Sequence, residues 1–106
     1  MNLDAMPNAL LTVGVPVSRY KAVECPDKYI VWAEDNQADS IWADGKMQEQ
    51  AIEGTVDYFT KTEDDPNVDK IQQALNGVCS WRLNSVQYED DTRYIHYEWT
   101  WQVWLA

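Results

Sequence analysis

The carboxyl end of the chain alternates more strictly than any other stretch. Ile95, Tyr97, Trp99, Trp101 and Val103 share one parity, and Tyr94, His96, Glu98, Thr100 and Gln102 share the other. A two-residue period sends successive side chains to opposite faces of a strand. A chain with this ending must therefore supply a layer to cover a face built by Trp99 and Trp101. The stretch before it, residues 80–89, also reads as a strand, joined to the last one by the turn Asp90-Asp91-Thr92. There Trp81 and Leu83 share one parity while Val86 and Tyr88 share the other, so a bulge near Asn84-Ser85 is expected to reconcile them.

The rest of the chain supplies the cover and the remaining strands. Residues 4–13 read as a helix, with Leu3, Met6, Leu10 and Leu11 at helical spacing, Pro7 in the first turn and Gly14 and Pro16 as stop signals. Extended chain follows from Val17 through Tyr20 and Val23, and residues 28–34 carry apolar groups on both faces, as a central strand does. Residues 34–46 are polar and turn-rich, interrupted by Ile41 and Trp42 and ending in the tight-turn pair Asp44-Gly45. Residues 50–61 alternate Ile52, Gly54, Val56 and Tyr58 against Glu53, Thr55, Asp57 and Phe59. The clearest helix spans residues 66–76, with Asp65 as its cap, Pro66 at its first position, a stripe of Val68, Ile71, Leu75 and Val78, and Gly77 at its end. The expectation is a single α+β domain over residues 1–106. It comprises a mainly antiparallel sheet of about five strands with two helices on one face, in the order α-β-β-β-α-β-β.

Charge and composition narrow the function classes. The net charge of -10 repels phosphate, and the eight Lys and Arg are scattered singly, so neither nucleic acid nor an anionic membrane is an expected partner. No apolar run approaches the length of a membrane span, and the first seventeen residues lack the basic start of a signal peptide. Cys25 and Cys79 are expected as free thiols, which suits a reducing compartment.

The search for chemistry gives little. Glu34-Asp35, Glu63-Asp64-Asp65 and Glu89-Asp90-Asp91 all fall in expected turns, where no apolar pocket lifts a carboxyl toward general-acid duty. The run Asp35, Gln37, Asp39 opens like a calcium loop, but Ser40 stands where glycine is required and Lys46 where the closing acid belongs. His96 is the lone histidine and lies on the outer parity of the last strand, a weak metal or base candidate. Cys79 has no basic neighbour to lower its pKa and reads as a packing residue. No catalytic residue, cofactor or metal site is expected, and the chain is not read as an enzyme.

Six Trp and six Tyr exceed what a core of this size encloses. Trp32, Trp42 and Trp104, by parity or turn location, are the candidates for a surface that another molecule covers. The order Tyr29-Ile30-Val31-Trp32, Asp44-Gly45, then Ile52 to Lys61 reading IEGTVDYFTK, then Asp65-Pro66 and His96-Tyr97-Glu98-Trp99, resembles the small tail completion proteins of long-tailed phages and prophages of Gram-positive bacteria. The resemblance runs over residues 15–99. It implies a virion structural protein, a tail terminator or head-tail joining subunit made in the bacterial host cytoplasm. Such a subunit would assemble with copies of itself, as a hexameric ring, and with tail-tube and connector proteins. Acidic turns at Asp64 and Asp65 facing a DNA passage would discourage phosphate from adhering. The alternatives are another head-tail connector or minor virion component, and a peptide- or carbohydrate-binding module that uses exposed Trp.

Overall fold

A computed structural model describes residues 1–38, 40–43 and 45–105. The elements are α1 (Ala5–Leu11), β1 (Val17–Arg19), β2 (Lys28–Gln37), β3 (Ile41–Ala43), β4 (Lys46–Thr60), α2 (Asn67–Asn76), β5 (Ser80–Tyr88) and β6 (Ile95–Leu105). The main sheet runs β1-β2-β4-β6-β5, and β3 pairs with the first part of β4. β1 lies parallel to β2, whereas the β2–β4, β4–β6 and β5–β6 pairs are antiparallel. The fold is the expected α+β arrangement. No helix among the described residues is long and apolar enough to cross a membrane.

The alternation in β6 organises everything else. β4 and β6 pair without interruption from Gln50 opposite Leu105 to Thr60 opposite Ile95. On the inner face this ladder sets up rows across the sheet, among them Ile30–Tyr58–Tyr97–Val86 and Trp32–Val56–Trp99–Leu83. Both helices lie on that face. Leu3, Met6, Leu10 and Val13 from the amino-terminal segment and Ile71 and Leu75 from α2 join Ile30, Trp32, Ile52, Val56, Tyr58, Trp99 and Trp101 in one buried core. Leu11, placed in the apolar stripe by its spacing, is exposed, because it sits about 100° around the helix from the fully buried Leu10.

Gly54 marks the tightest crossing. A Cβ there would lie 2.1 Å from the Ala33 carbonyl oxygen and 2.6 Å from the Trp101 ring, so only glycine lets β2 and the indole close over β4. The β2–β4 register shifts beside it, between Glu34 and Asn36, and β2 continues to Gln37. The Trp101 Nε1 is buried with no hydrogen-bond partner among the described residues.

Two parts of the chain differ from the sequence reading. Residues 34–46 hold the end of β2 and all of β3, giving four strands before α2 where three were expected. The ladder to β4 supplies the pairing that so short a segment cannot signal by itself. Gly45, at φ +73°, occupies the tight connection into β4, while its partner Asp44 lies outside the described residues. In the other direction, β1 ends at Arg19. Tyr20 adopts φ +72°, its amide donates a last ladder bond to the Trp32 carbonyl at 2.8 Å, and Val23 lies exposed in the loop beyond. The bulge in β5 falls where the parity break placed it, between Leu83 and Ser85.

Candidate functional site

The helices do not reach the whole inner face. α2 is tied down over β6 and the start of β5: the Trp99 indole N–H donates to Gln72 Oε1 at 3.1 Å and the Trp81 indole N–H to Asn76 Oδ1 at 2.8 Å. Beyond that cover, Leu83, Val86 and Tyr88 form an exposed apolar strip along β5, with Val86 at 52% and Tyr88 at 61% exposure. β5 is also the end strand of the sheet, so one side of its backbone has no strand partner among the described residues. An apolar strip beside an open strand edge is a surface that pairs with other chains.

The tryptophans divide. Trp42 is 59% exposed on β3 and Trp104 50% exposed near the end of β6, as expected for surface candidates. Trp42 pairs with Met47 and Trp104 with Ala51, so both stand along the first half of β4, toward one end of a molecule measuring 52 × 25 × 23 Å. Trp104 borders a small apolar hollow of about 170 Å³ shared with Leu3, Met6, Val78 and Val103. Trp32 corrects the expectation. It is buried in the core at 3% exposure, tilted against Trp101 at 6.4 Å, with the Arg19 guanidinium 4.6 Å over its ring. Its parity, assigned to the surface in the sequence, is the face under the helices, because Trp32 stands in register with Val56 and Val56 with Trp99.

The acidic turns gather at the other end. The ladder Lys28–Thr60–Ile95–Tyr88 closes the sheet there, which brings the turn after β4 beside the turn between β5 and β6. Glu63, Asp64, Asp90 and Asp91 are exposed in these turns, Asp64 at φ +51°. Asp65 again differs from the expectation of a solvated turn carboxylate. Its side chain is fully buried. Oδ2 accepts hydrogen bonds from the Thr60 hydroxyl at 2.6 Å and the Tyr58 hydroxyl at 2.8 Å, with Lys28 Nζ at 3.3 Å, and Oδ1 accepts from the Asn67 amide at 2.9 Å. Burial pushes this carboxyl up, but the bonds from Thr60, Asn67, Tyr58 and Lys28 outweigh it and hold the pKa below the usual value. Asp65 anchors α2 to the sheet and is not available to a passing phosphate.

The outer face of the sheet is uncovered by helices. Tyr29, Phe59 and His96 stack in a row across it, with centroid separations of 4.7 and 4.3 Å, and Tyr94 packs edge-on against the first two. The Tyr94 hydroxyl donates to the Pro26 carbonyl at 2.5 Å, fastening the 20–27 loop over this row. His96 Nε2 lies 2.6 Å from Asp57 Oδ1. That hydrogen bond raises the imidazole pKa, burial opposes it, and the charges of Glu89 and Glu98 add to the rise. Sequence reading singled out His96 but not its neighbours, since Asp57 reaches it only through the β4–β6 register. Cys79 packs beside α2, its thiol pushed up to about 11 by burial, in keeping with a packing role; Cys25 is exposed.

The chain matches no family model and no curated protein.

Proposed function

We propose that this chain is a virion structural subunit of the tail completion or head-tail joining kind, acting by assembly at the end of the tail tube. The observation that carries the reading is the division of one elongated subunit into three unlike surfaces: an end with Trp42 and Trp104, an acidic end around Asp64 and Asp91, and the open β5 edge with Leu83, Val86 and Tyr88. A subunit of a closed ring needs two different contact patches, and one that also docks a tube needs a third. The strip on β5 suits contact with a neighbouring copy, and the indoles suit an anchor on another protein. The order of motifs over residues 15–99 gives the reading its particular class. A hexameric ring belongs to the same proposal.

The decisive experiment is cross-linking mass spectrometry with electron microscopy on intact tails of the phage or prophage that encodes the chain. The expected result is density for a ring at one end of the tube and cross-links from Lys46, near Trp42, to a tube or connector protein. A chain absent from the particle, or one whose Trp42 and Trp104 instead bind an oligosaccharide or peptide in titrations, overturns it.

A further inference from the structure

The outer face holds a donor set that the assembly reading leaves unused. Asp57 on β4 and Glu98 on β6 are direct cross-strand partners, and His96, two residues before Glu98, projects from the same face. The ligating atoms of the three side chains all lie within 4.8 Å of one another, and each residue is partly buried. Two carboxylates placed directly opposite each other repel, and a bound cation would offset that repulsion.

Two features fix His96 and Glu98 before any ion arrives. The His96 ring is stacked on Phe59 at 4.3 Å and 19°, which sets its plane. Glu98 Oε1 accepts a hydrogen bond from the Asn84 side-chain amide at 2.8 Å. Asn84 is the residue that the β5 bulge leaves out of the ladder, for Leu83 pairs with Trp99 and Ser85 with Glu98. The bulge thus re-aims the Asn84 amide onto the Glu98 carboxylate and holds that oxygen in a fixed orientation. On the other side an open hollow of about 370 Å³, bordered by Tyr20, Lys21, Tyr29 and Val31, reaches both Asp57 and His96 and has room for water.

We propose that Asp57, His96 and Glu98 bind one divalent first-row transition ion of the zinc class, with water in the remaining position. One imidazole nitrogen and two carboxylate oxygens are a donor set that zinc accepts, whereas calcium takes six to eight oxygens. Donor atoms around a tetrahedral ion stand about 3.3 Å apart. Loading therefore parts His96 Nε2 and Asp57 Oδ1 from 2.6 Å by a side-chain rotation, releasing the hydrogen they share, and leaves the backbone ladder as it is. Because the ligands come from the two central strands, the ion is a cross-brace between β4 and β6.

The test is isothermal titration of the metal-stripped full chain with zinc chloride, together with visible absorption on adding cobalt(II) as a spectroscopic stand-in. The expected result is saturable 1:1 binding, a cobalt d–d band, and a rise in Tm with zinc. Asp57→Asn and His96→Ala abolish all three, and Asn84→Ala weakens zinc about tenfold or more, the usual effect of removing an outer-shell partner. Glu63→Gln with Asp64→Asn, in the exposed turn, leaves binding unchanged. Far-UV circular dichroism checks that each variant is folded, and Glu98→Gln, which keeps the shape and the Asn84 contact, stands in for any that is not. The proposal is overturned if the chain shows no saturable binding, or if folded D57N and E98Q bind zinc as the unaltered chain does, meaning that the cluster is a hydrogen-bonded ion pair alone.

Discussion

Asp65 carries more of the fold than its setting in an acidic run suggests. Its carboxylate receives two hydroxyls from β4, a backbone amide from α2 and the Lys28 ammonium from β2. Its folded pKa lies below the unfolded value, so the stability it confers is present above the unfolded value of about 3.9 and is lost as pH falls through the folded one. Urea melts across the acid range should show this loss in the unaltered chain and a flatter acid limb in Asp65→Asn. At neutral pH, Asp65→Ala should cost about 3 kcal/mol, as removal of one member of a buried charged network does. Asp64→Asn, one residue away in solvent, should change stability by no more than about 0.5 kcal/mol. The position of Asp65 at the head of α2 was legible, since Asp-Pro before an apolar stripe is a helix start, although the helix begins at Asn67, one residue later than expected, and Asp65 accepts from the Asn67 backbone amide. The burial was not, because Tyr58 and Thr60 meet Asp65 only after β4 has turned back beneath α2. Gly54 is similar: alternation put it on the inner face, but nothing local revealed that Ala33 and Trp101 close on it.

Among the elements, the long periodic ones were readable, whereas of the three-residue ones β1 was legible only as extended chain from Val17 without its end, and β3 was not legible at all. β6 and β4 announce themselves by alternation, and α2 by its stripe. β1 and β3, at three residues each, contain too little pattern, and their existence depends on a partner strand. The β5 bulge was readable because a parity break within one strand has few other solutions. Its removal can be foreseen from the register. With Asn84 deleted, Leu83 and Ser85 become neighbours that already face Trp99 and Glu98, so the ladder to β6 continues unbroken. The deletion variant should fold and lose only about 1–2 kcal/mol, the worth of the hydrogen bond to Glu98. Denaturant midpoints measure this; a collapse of the fold would mean that the bulge sets the twist of the whole edge.

For the molecule as a whole, the aromatic surplus was a sound guide to the presence of surface indoles and an imperfect one to their identity. Trp42 and Trp104 project from the described surface, while Trp32 fills the core, because the parity of β2 was read without knowing which face the helices choose. Replacing Trp42 and Trp104 together by Ser should leave the monomer's stability within about 1 kcal/mol, since neither belongs to the buried core. On the proposed assembly role, the same variant should be depleted from assembled tails, which quantitative proteomics of purified particles would measure. Equal incorporation would move the contact to the β5 edge, where Val86→Lys is the matching change.

The fifteen-residue β4 runs without a break from the hairpin that bears Trp42 to the turn that bears Asp64. Its ladder with β6 loads every rung together when the two strands are drawn in opposite directions, the shearing geometry in which hydrogen-bonded strands hold best. Tension applied at one tip would thus reach the other along a single strut rather than through flexible joints, a property suited to a part under mechanical load.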